Sequence, residues 1–283
     1  MRLIIGGSSR VAERFVAANP DEKFLFANRS DIESWLKRTD FVGFDNFVSA
    51  LPAPLRAVYV FAGVTDPTSD PDELHAVNVR LPRMVLGRAA RDGFAVTTYG
   101  TALEALGQTP NVYLESKREL AAIVADYAKS GVDALHVRFH TVYGAGVPQR
   151  HMFLGQMLEA LVADAPFKMS SGTQLREYHH VDDLVAALAV LDETRPIPAI
   201  TITHGMPVAL RALAEAVFAS FDRTDLLHVG AIAAPTTEVH EQSEGRTVGL
   251  DSVQFREPIA GVVDYMHAAY DQVLAERKGN GHE

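Results

Sequence analysis

Short, continuous apolar runs alternate with segments of helical spacing along this 283-residue chain. The runs that have the length and composition of buried strands are Arg2–Ile5, Lys23–Ala27, Ala57–Phe61, Phe94–Thr97 and Leu135–Phe139. Strands that are apolar along their whole length are typical of a parallel sheet with helices on both faces. Because crossovers between parallel strands are right-handed, the pattern predicts an α/β fold with a doubly wound parallel sheet.

The pattern changes after about residue 145, where a polar, strand-like segment at 168–180 interrupts the apolar runs. Helical and strand patterns return near residue 180. We therefore predict a larger domain made of residues 1–145 plus about 180–203. A smaller C-terminal lobe is predicted from about 146–179 plus 204–283.

Composition excludes several classes of protein. With 26 basic and 36 acidic residues the net charge is −10, which argues against general binding to nucleic acid or to anionic membranes. There is no cysteine, which excludes disulfides and thiolate metal sites, and no histidine–carboxylate spacing is typical of a metal site. No apolar run approaches a membrane span, and Gly6 comes too early for a signal peptide, so we expect a cytoplasmic protein.

The first predicted strand runs directly into a turn of small residues. Gly6, Gly7 and Ser9 are followed by Ala12, a degraded form of the glycine pattern that opens dinucleotide-binding sheets. Small residues there allow a tight turn and let the backbone approach a diphosphate at the helix N-terminus. Taken alone the motif is weak, because a Gly-Gly turn also occurs in unrelated α/β proteins. Its position between a strand and a helix favours a Rossmann-type dinucleotide site.

The end of the second strand bears on the choice of dinucleotide. An acidic residue there suits the free ribose hydroxyls of NAD, whereas an arginine suits the 2′-phosphate of NADP. This strand is followed by Asn28 and Arg29, with Arg10 expected nearby on the first turn. The sequence therefore favours NADP, and Asp31 leaves NAD open as the alternative.

Two ionisable residues lie four apart on a predicted helix over 113–130. Tyr113 and Lys117 therefore share one helix face, and an ammonium beside a phenol favours the phenolate. Such a tyrosine can exchange a proton with a carbonyl or hydroxyl group while the lysine holds the nicotinamide ribose. Fifteen residues earlier, Thr98 follows a predicted strand with a hydroxyl for the same substrate oxygen. A Tyr-x-x-x-Lys pair alone also fits an ordinary helix surface, but this order of motifs is much rarer.

With these motifs in this order, the chain resembles the short-chain dehydrogenase/reductase superfamily. More narrowly, it resembles the extended branch of nucleotide-sugar epimerases, dehydratases and reductases. Val60-Phe-Ala-Gly63 is similar to the family's turn after the fourth strand. Two further segments that resemble the family are Arg138-Phe-His-Thr-Val-Tyr-Gly-Ala-Gly146 and Gly172-Thr-Gln-Leu-Arg-Glu-Tyr-His-His-Val-Asp-Asp183. The resemblance covers nearly the whole chain.

The resemblance implies roles for individual residues. Tyr113 would be the general acid/base, Lys117 its partner and Thr98 the third catalytic residue. The residues implied in cofactor binding are Gly6, Gly7, Ser9, Arg10, Asn28, Arg29, Asp45, Ala62, Gly63, Tyr113 and Lys117. The residues implied in substrate binding are Thr98, Tyr99, His140, Thr141, His151 and Arg176. Among them, Arg176 would grip the diphosphate of a nucleotide-linked sugar, a task suited to a bidentate guanidinium.

Departures from the family narrow the expected chemistry. Family dehydratases carry Asp-Glu after the strand-end threonine, and 3,5-epimerases carry a cysteine there, whereas this chain has Tyr99 and Gly100. The remaining reaction is reduction of a ketone, with NADP as cofactor and Tyr113 as proton donor. The favoured substrate is the 4-keto group of a nucleotide-linked sugar.

Three alternatives remain open on the sequence alone. They are an NAD-dependent nucleotide-sugar 4-epimerase, a reductase of a non-sugar ketone, and a catalytically silent cofactor-binding regulatory or scaffold protein. The resemblance also implies a homodimer. The helices at about 78–92 and 113–130 would pair in it, because they carry apolar residues on more than one side.

Overall fold

The computed structural model describes residues 1–37, 41–66, 68–105, 111–195, 198–234 and 245–279. It divides into two compact units, Met1–Phe139 with Leu188–Ile202, and His140–Ala187 with Thr203–Glu283. The sequence prediction placed the first two points at which the chain passes from one unit to the other near residues 145 and 180. In the structure the second point lies inside the helix Val181–Thr194, which the prediction had assigned entirely to the larger domain.

Short strands and longer helices alternate along the chain. The strands are β1 (Arg2–Ile5), β2 (Phe24–Ala27), β3 (Ala57–Val60), β4 (Ala95–Thr101), β5 (Ala134–Phe139), β6 (Thr141–Tyr143), β7 (Phe167–Met169), β8 (Leu175–Arg176), β9 (Tyr178–His180), β10 (Ala199–Thr201), β11 (Val208–Ala209) and β12 (Leu227–Val229). The helices are α1 (Arg10–Ala17), α2 (Arg29–Leu36), α3 (Val42–Ser49), α4 (Pro71–His75), α5 (Leu81–Asp92), α6 (Val112–Lys129), α7 (Phe153–Ala163), α8 (Val181–Thr194), α9 (Leu210–Ser220) and α10 (Pro258–Gly279). A π-helical turn, Ala76–Arg80, joins α4 to α5.

The first unit is built on a six-stranded parallel sheet in the order β10-β5-β4-β3-β1-β2. The chain starts at β1, continues to its neighbour β2 at one edge of the sheet, and then crosses back through β3, β4 and β5. This order confirms the predicted doubly wound, Rossmann-type sheet.

Successive strand residues point to opposite sides of the sheet. Helices cover both sides, so side chains are buried on both faces. On one face, strand residues pack with α5 and α6, as in Leu3, Ile5, Val58, Val60, Val96, Val85, Leu120 and Val124. On the other face, strand residues pack with α1 and the end of α8, as in Tyr59, Tyr99, Val137, Phe15, Leu188 and Leu191. Burial on both faces explains why most residues of these strands are apolar.

The second unit combines three small two-stranded sheets with helices. β6 pairs with β9 and β7 with β12, both parallel, whereas β8 pairs antiparallel with β11. Its core is formed by α7, α9 and α10, with fully buried side chains such as Met157, Leu213, Phe218, Val262 and Met266. Among the described residues, no helix combines the length and apolar character needed to cross a bilayer.

Candidate active site

The turn after β1 is in van der Waals contact with the turn after β3. Gly6 has φ +87°, and a Cβ on it would overlap the backbone nitrogen of Ala62. Only glycine meets both demands. Ser9 is the N-cap of α1, and its N–H donates to the Gly6 carbonyl at 3.1 Å. The turn therefore offers closely packed backbone and a helix N-terminus, which fits the predicted dinucleotide diphosphate site.

Lys117 reaches this junction from α6. A Cβ placed on Gly63 would lie 3.5 Å from Lys117 Nζ and 3.4 Å from Asn78 Oδ1. Asn78 lies in the π-helical turn, and its side-chain Nδ2 donates hydrogen bonds to Val64 O at 2.9 Å and to Ser116 Oγ at 3.1 Å. Lys117 is buried, and burial lowers the pKa of its ammonium to about 8. The structure thus brings the predicted Lys117 and the predicted Gly63 together.

Tyr113 lies one turn before Lys117 on the same helix, which starts at the N-cap Asn111. Its side chain is half-buried. Burial and the negative charge of Glu104 raise the pKa of its phenol to about 12. The expectation that Lys117 favours the phenolate is therefore wrong for this structure, in which Lys117 donates instead to the carbonyl oxygen of Tyr99 at 2.9 Å.

Thr98 does not lie at the end of its strand. β4 continues through Gly100 to Thr101, and the Thr98 side chain is buried, with its Oγ1 2.8 Å from Nδ1 of His136. Ligands of parallel sheets bind at the carboxyl ends of the strands. The hydroxyl at that end of β4 belongs to Thr101, which is half-buried, whereas the hydroxyl of Thr98, for which a catalytic role was predicted, is held inside the sheet beside His136.

A buried carboxylate stands directly behind Thr101. Glu104 accepts hydrogen bonds from the backbone N–H of Thr101 at 2.6 Å, from His136 Nε2 at 3.1 Å and from Arg138 Nε at 3.2 Å. Burial alone would raise the pKa of Glu104, but the hydrogen bonds and the nearby cations outweigh it and lower that pKa. Sequence reasoning missed Glu104 and His136, which are 32 residues apart.

The residues after β2 form a local cap. Asn28 accepts from the N–H of Asp31 at 3.0 Å, and its own N–H donates to the Asp31 carboxylate at 2.9 Å, so α2 starts with a capping box. Arg29 extends into solvent with 88% of its side chain exposed and pairs with Glu33. Asp31 is thus committed to the cap, whereas the guanidinium of Arg29 stays accessible.

Two further predicted site residues have structural roles. Asp45, which was predicted to bind the cofactor, pairs with Arg91 and Arg88 of α5, and these cations lower the pKa of its carboxyl. Tyr99 is buried, with its ring stacked 4.2 Å from that of Phe61, so its side chain belongs to the core rather than to a substrate pocket. Only the Tyr99 carbonyl reaches the site, through Lys117.

The other predicted substrate residues all lie in the second unit. Arg176 is half-buried in β8, and its Nη1 donates to the carbonyl of Leu175 at 2.7 Å. Thr141 is half-buried in β6, and the ring of the preceding His140 stacks 5.4 Å from that of His179. His151 is exposed just before α7.

A buried histidine–glutamate cluster in the second unit escaped sequence analysis. Glu177, His179 and His204 bring possible metal-ligand atoms within 4.8 Å of one another. Hydrogen bonds account for this arrangement: Glu177 accepts from His179 Nε2 at 3.0 Å and from the N–H of His204 at 2.9 Å. His204 Nδ1 accepts from the N–H of Met206 at 3.0 Å. The carboxylate therefore orders the turn after β10.

A helix that carries Tyr113 and directs Lys117 to the Gly63 turn is the arrangement of an NAD(P)-dependent enzyme of the short-chain dehydrogenase/reductase type. The chain belongs to the NAD dependent epimerase/dehydratase family, whose sequence model matches residues 9–200. Among curated proteins, none matches the chain significantly.

Solved structures resemble the chain over almost its whole length. UDP-glucose 4-epimerase from Thermotoga maritima, bound to UDP-glucose, has a TM-score of 0.80 at 14% identity, covering 96% of this chain and 99% of that one. UDP-glucuronic acid 4-epimerase from Bacillus cereus, with UDP-glucuronic acid and NAD, gives 0.76 at 13% identity, with 96% and 100% covered. A dTDP-glucose 4,6-dehydratase from Streptomyces venezuelae, with NAD bound, gives 0.72 at 16% identity, with 94% and 96% covered. At such identities the similarity establishes the fold.

Proposed function

We propose that this protein is an NADP-dependent oxidoreductase that reduces a keto group, at carbon 4, of a nucleotide-linked sugar. The observation that carries the proposal is the pair on α6: Tyr113 is held as a neutral phenol, and Lys117 Nζ faces Gly63. A neutral phenol is the form that can donate a proton to a ketone oxygen as it becomes an alcohol. Thr101, at the end of β4, would hydrogen-bond the same oxygen.

The residues of the first unit fit a dinucleotide. Gly6 and Gly7 supply the close backbone, Ser9 and Arg10 open α1, and Ala62 forms the facing turn. When bound, the nicotinamide supplies the hydride. Lys117 would hold its ribose, and Arg29, with no acidic side chain free beside it after β2, suits a 2′-phosphate.

Residues after the strand-end hydroxyl argue against other family reactions. Thr101 is followed by Ala102 and Leu103, neither of which can take a proton from a sugar carbon. The argument against dehydration and 3,5-epimerisation, first based on Tyr99 and Gly100, therefore also holds for a strand that ends at Thr101. Elimination of water and 3,5-epimerisation both need a proton acceptor at that place. Transfer of a hydride with a phenolic proton needs none.

The substrate class rests on the second unit and on the relatives. Arg176 of β8 would bind the diphosphate of the nucleotide. His140, Thr141 and His151, which precede it in the sequence, are the candidates for contacts with the sugar. The similar structures named above contain UDP-sugars or are named for dTDP-glucose. We also expect a homodimer in the cytoplasm, with α5 and α6 at the interface.

A second candidate is an NAD-dependent nucleotide-sugar 4-epimerase. Two of the similar structures are 4-epimerases, and one of them contains NAD. The same residues serve this reaction, because Tyr113 would first accept and then return a proton.

Cofactor binding separates the candidates. The purified protein is examined by absorbance for retained cofactor and then titrated with NADPH and NADH by fluorescence. We expect protein without cofactor, tighter binding of NADPH, and NADPH oxidation when a nucleotide-linked 4-ketosugar is added. Tightly retained NAD with interconversion of UDP-sugars would establish the epimerase instead, and no binding of either dinucleotide would overturn both.

A further inference from the structure

Glu104 is a buried carboxylate for which the reaction proposed above has no task. Its side chain is 1% exposed, yet it carries three hydrogen bonds and lies one turn beyond Thr101. Burying a carboxylate is costly unless charge and hydrogen bonds compensate for it. The contacts of Glu104 show which groups of the candidate site this carboxylate holds in place.

The first contact fixes the strand end. Glu104 Oε1 accepts the N–H of Thr101, and Thr101 Oγ1 accepts the N–H of Leu103 at 3.3 Å, which closes a capping box. Thr101 is therefore held at its backbone by Glu104 and at its side chain by the following turn. Its hydroxyl keeps a hydrogen to donate toward a ligand oxygen.

The second set of contacts anchors the carboxylate to β5. Glu104 Oε2 accepts from His136 Nε2 and from Arg138 Nε, and His136 Nδ1 lies 2.8 Å from the Thr98 hydroxyl. Burial lowers the pKa of His136 further than Glu104 raises it, so the imidazole is neutral. With its one proton on Nε2 toward Glu104, the ring accepts from Thr98 at Nδ1. The negative charge therefore stays on Glu104.

A third relationship connects this carboxylate to Lys117 through the main chain of β4. The peptide between Tyr99 and Gly100 lies between the two groups: its carbonyl accepts Lys117 Nζ, and a Cβ on Gly100 would overlap the Glu104 carboxylate. The next residue of α6, Arg118, donates from Nε to the carbonyl of Glu104 at 3.1 Å. Glycine at position 100 is what allows the carboxylate to approach this strand.

We propose that Glu104 is a positioning residue of the active site, whose fixed negative charge keeps Lys117 protonated and Tyr113 un-ionised and whose hydrogen bond holds Thr101 at the strand end. The inference rests on the proposed function of Tyr113 as proton donor. Among the residues that the structure describes, the charged or titratable groups around this carboxylate are His136 and Arg138 from β5 and Tyr113 and Lys117 from α6. Arg118 binds the backbone carbonyl of Glu104. A negative charge there opposes the loss of a proton from both the phenol and the ammonium.

This charge determines which protonation states the pair holds before a substrate binds. It opposes ionisation of the phenol, so Tyr113 keeps its proton until a ketone oxygen gains negative charge. It also offsets part of the effect of burial on Lys117, which by itself favours the uncharged amine. Glu104 therefore keeps Tyr113 in the protonated form and Lys117 in the charged form from which the proposed reaction starts.

The test measures the titration of Tyr113 without turnover. Protein labelled with ¹³C at the tyrosine Cζ is titrated by NMR, with the Tyr113 signal assigned from Tyr113→Phe. We expect the wild-type signal to titrate above the ordinary value of about 10 and Glu104→Gln to lower that pKa by about one unit, a tenfold change in ionisation constant. Glu177→Gln, which alters the other buried histidine–glutamate pair, is the matched control and should leave Tyr113 unchanged.

Kinetics separate charge from positioning. In Glu104→Gln the alkaline limb of the kcat profile should move to lower pH, whereas Glu104→Asp keeps the charge, leaves the limb in place and lowers kcat without raising KM. The inference is overturned if Glu104→Gln changes neither the alkaline limb of the kcat profile nor the pKa of Tyr113. This outcome is distinct from failure of the proposed function, which requires only that Tyr113→Phe be inactive. If Glu104→Gln does not fold, a wild-type Tyr113 that titrates at or below 10 overturns it.

Discussion

Lys117 donates a hydrogen bond from Nζ to the carbonyl oxygen of Tyr99 at 2.9 Å, and both residues are buried. The bond ties the first half of α6 to β4 and holds the ammonium facing Gly63. Because a buried ammonium needs such partners, its position is determined by the fold before any ligand binds.

Replacing this lysine should remove both cofactor binding and catalysis. We expect Lys117→Met to weaken dinucleotide binding at least about tenfold and to lower kcat by about 10²-fold or more, because the charge that faces the ribose is lost. Lys129→Met, at the exposed end of the same helix, is the control. Fluorescence titration and steady-state kinetics measure the two effects, and wild-type dinucleotide binding by Lys117→Met would contradict this assignment.

Tyr113→Phe tests the proton donor. The substitution removes only the hydroxyl, so we expect kcat to fall about 10²- to 10⁴-fold while the dinucleotide Kd changes little. Tyr127→Phe, on the same helix but near its other end, should retain turnover. Substantial turnover in Tyr113→Phe would remove the mechanism proposed above.

Thr98 and Thr101 should respond differently to replacement by valine. We expect Thr101→Val to lower kcat about 10²-fold, because its hydroxyl lies at the strand end, and to cost about 1 kcal/mol of unfolding free energy, because the same hydroxyl accepts the N–H of Leu103. Thr98→Val leaves Nδ1 of His136 without its donor and should cost about 1–3 kcal/mol of unfolding free energy, with a much smaller loss of kcat. Kinetics and urea unfolding of the two variants distinguish the positions, and the reverse pattern would restore Thr98 to the catalytic site.

Arg29 should control the choice of dinucleotide. Its guanidinium is exposed after β2, so Arg29→Ala should raise the NADPH Kd about tenfold and leave the NADH Kd unchanged. Glu33→Ala, which frees Arg29 from its ion pair, should bind NADPH at least as tightly as the wild type. Equal loss for both dinucleotides in Arg29→Ala would place the arginine away from the 2′-phosphate.

Acid should destabilise the histidine–glutamate cluster of the second unit. Burial lowers the pKa of His179 to about 4, below its ordinary value of 6.5. Between these values the unfolded chain binds the extra proton, so stability falls as the pH drops from about 6.5 toward 4, by on the order of 1–3 kcal/mol. Thermal unfolding across this range measures the loss. His179→Phe should flatten the slope, and a slope unchanged in that variant would place the effect elsewhere.

The sequence allowed much of the first unit to be predicted. Arg2–Ile5 was predicted with the bounds that β1 has, because the three successive apolar residues after Arg2 are typical of a strand buried on both faces. Tyr113 and Lys117 were found from helical spacing, which is a local property. The strand end was predicted at Thr98, whereas β4 continues to Thr101 through Gly100, the point at which the strand makes room for Glu104.

Contacts between distant residues left no local signal. Glu104 and His136 are 32 residues apart, and Glu177 and His204 are 27 apart. Their pairing depends on which strands become neighbours, and neither hydrophobic period nor turn chemistry encodes that. The same limit applies to Asp45, whose partners Arg88 and Arg91 lie on another helix.

The π-helical turn Ala76–Arg80 means that α4 and α5 are out of step by one residue. Deleting a single residue there would restore a uniform α-helix and swing everything before it by about 100° around the helix axis. Asn78 would then leave Val64 and Ser116. The extra residue acts as a spacer, so the turn should be more sensitive to a change in its length than to substitution of a half-buried residue such as Val77.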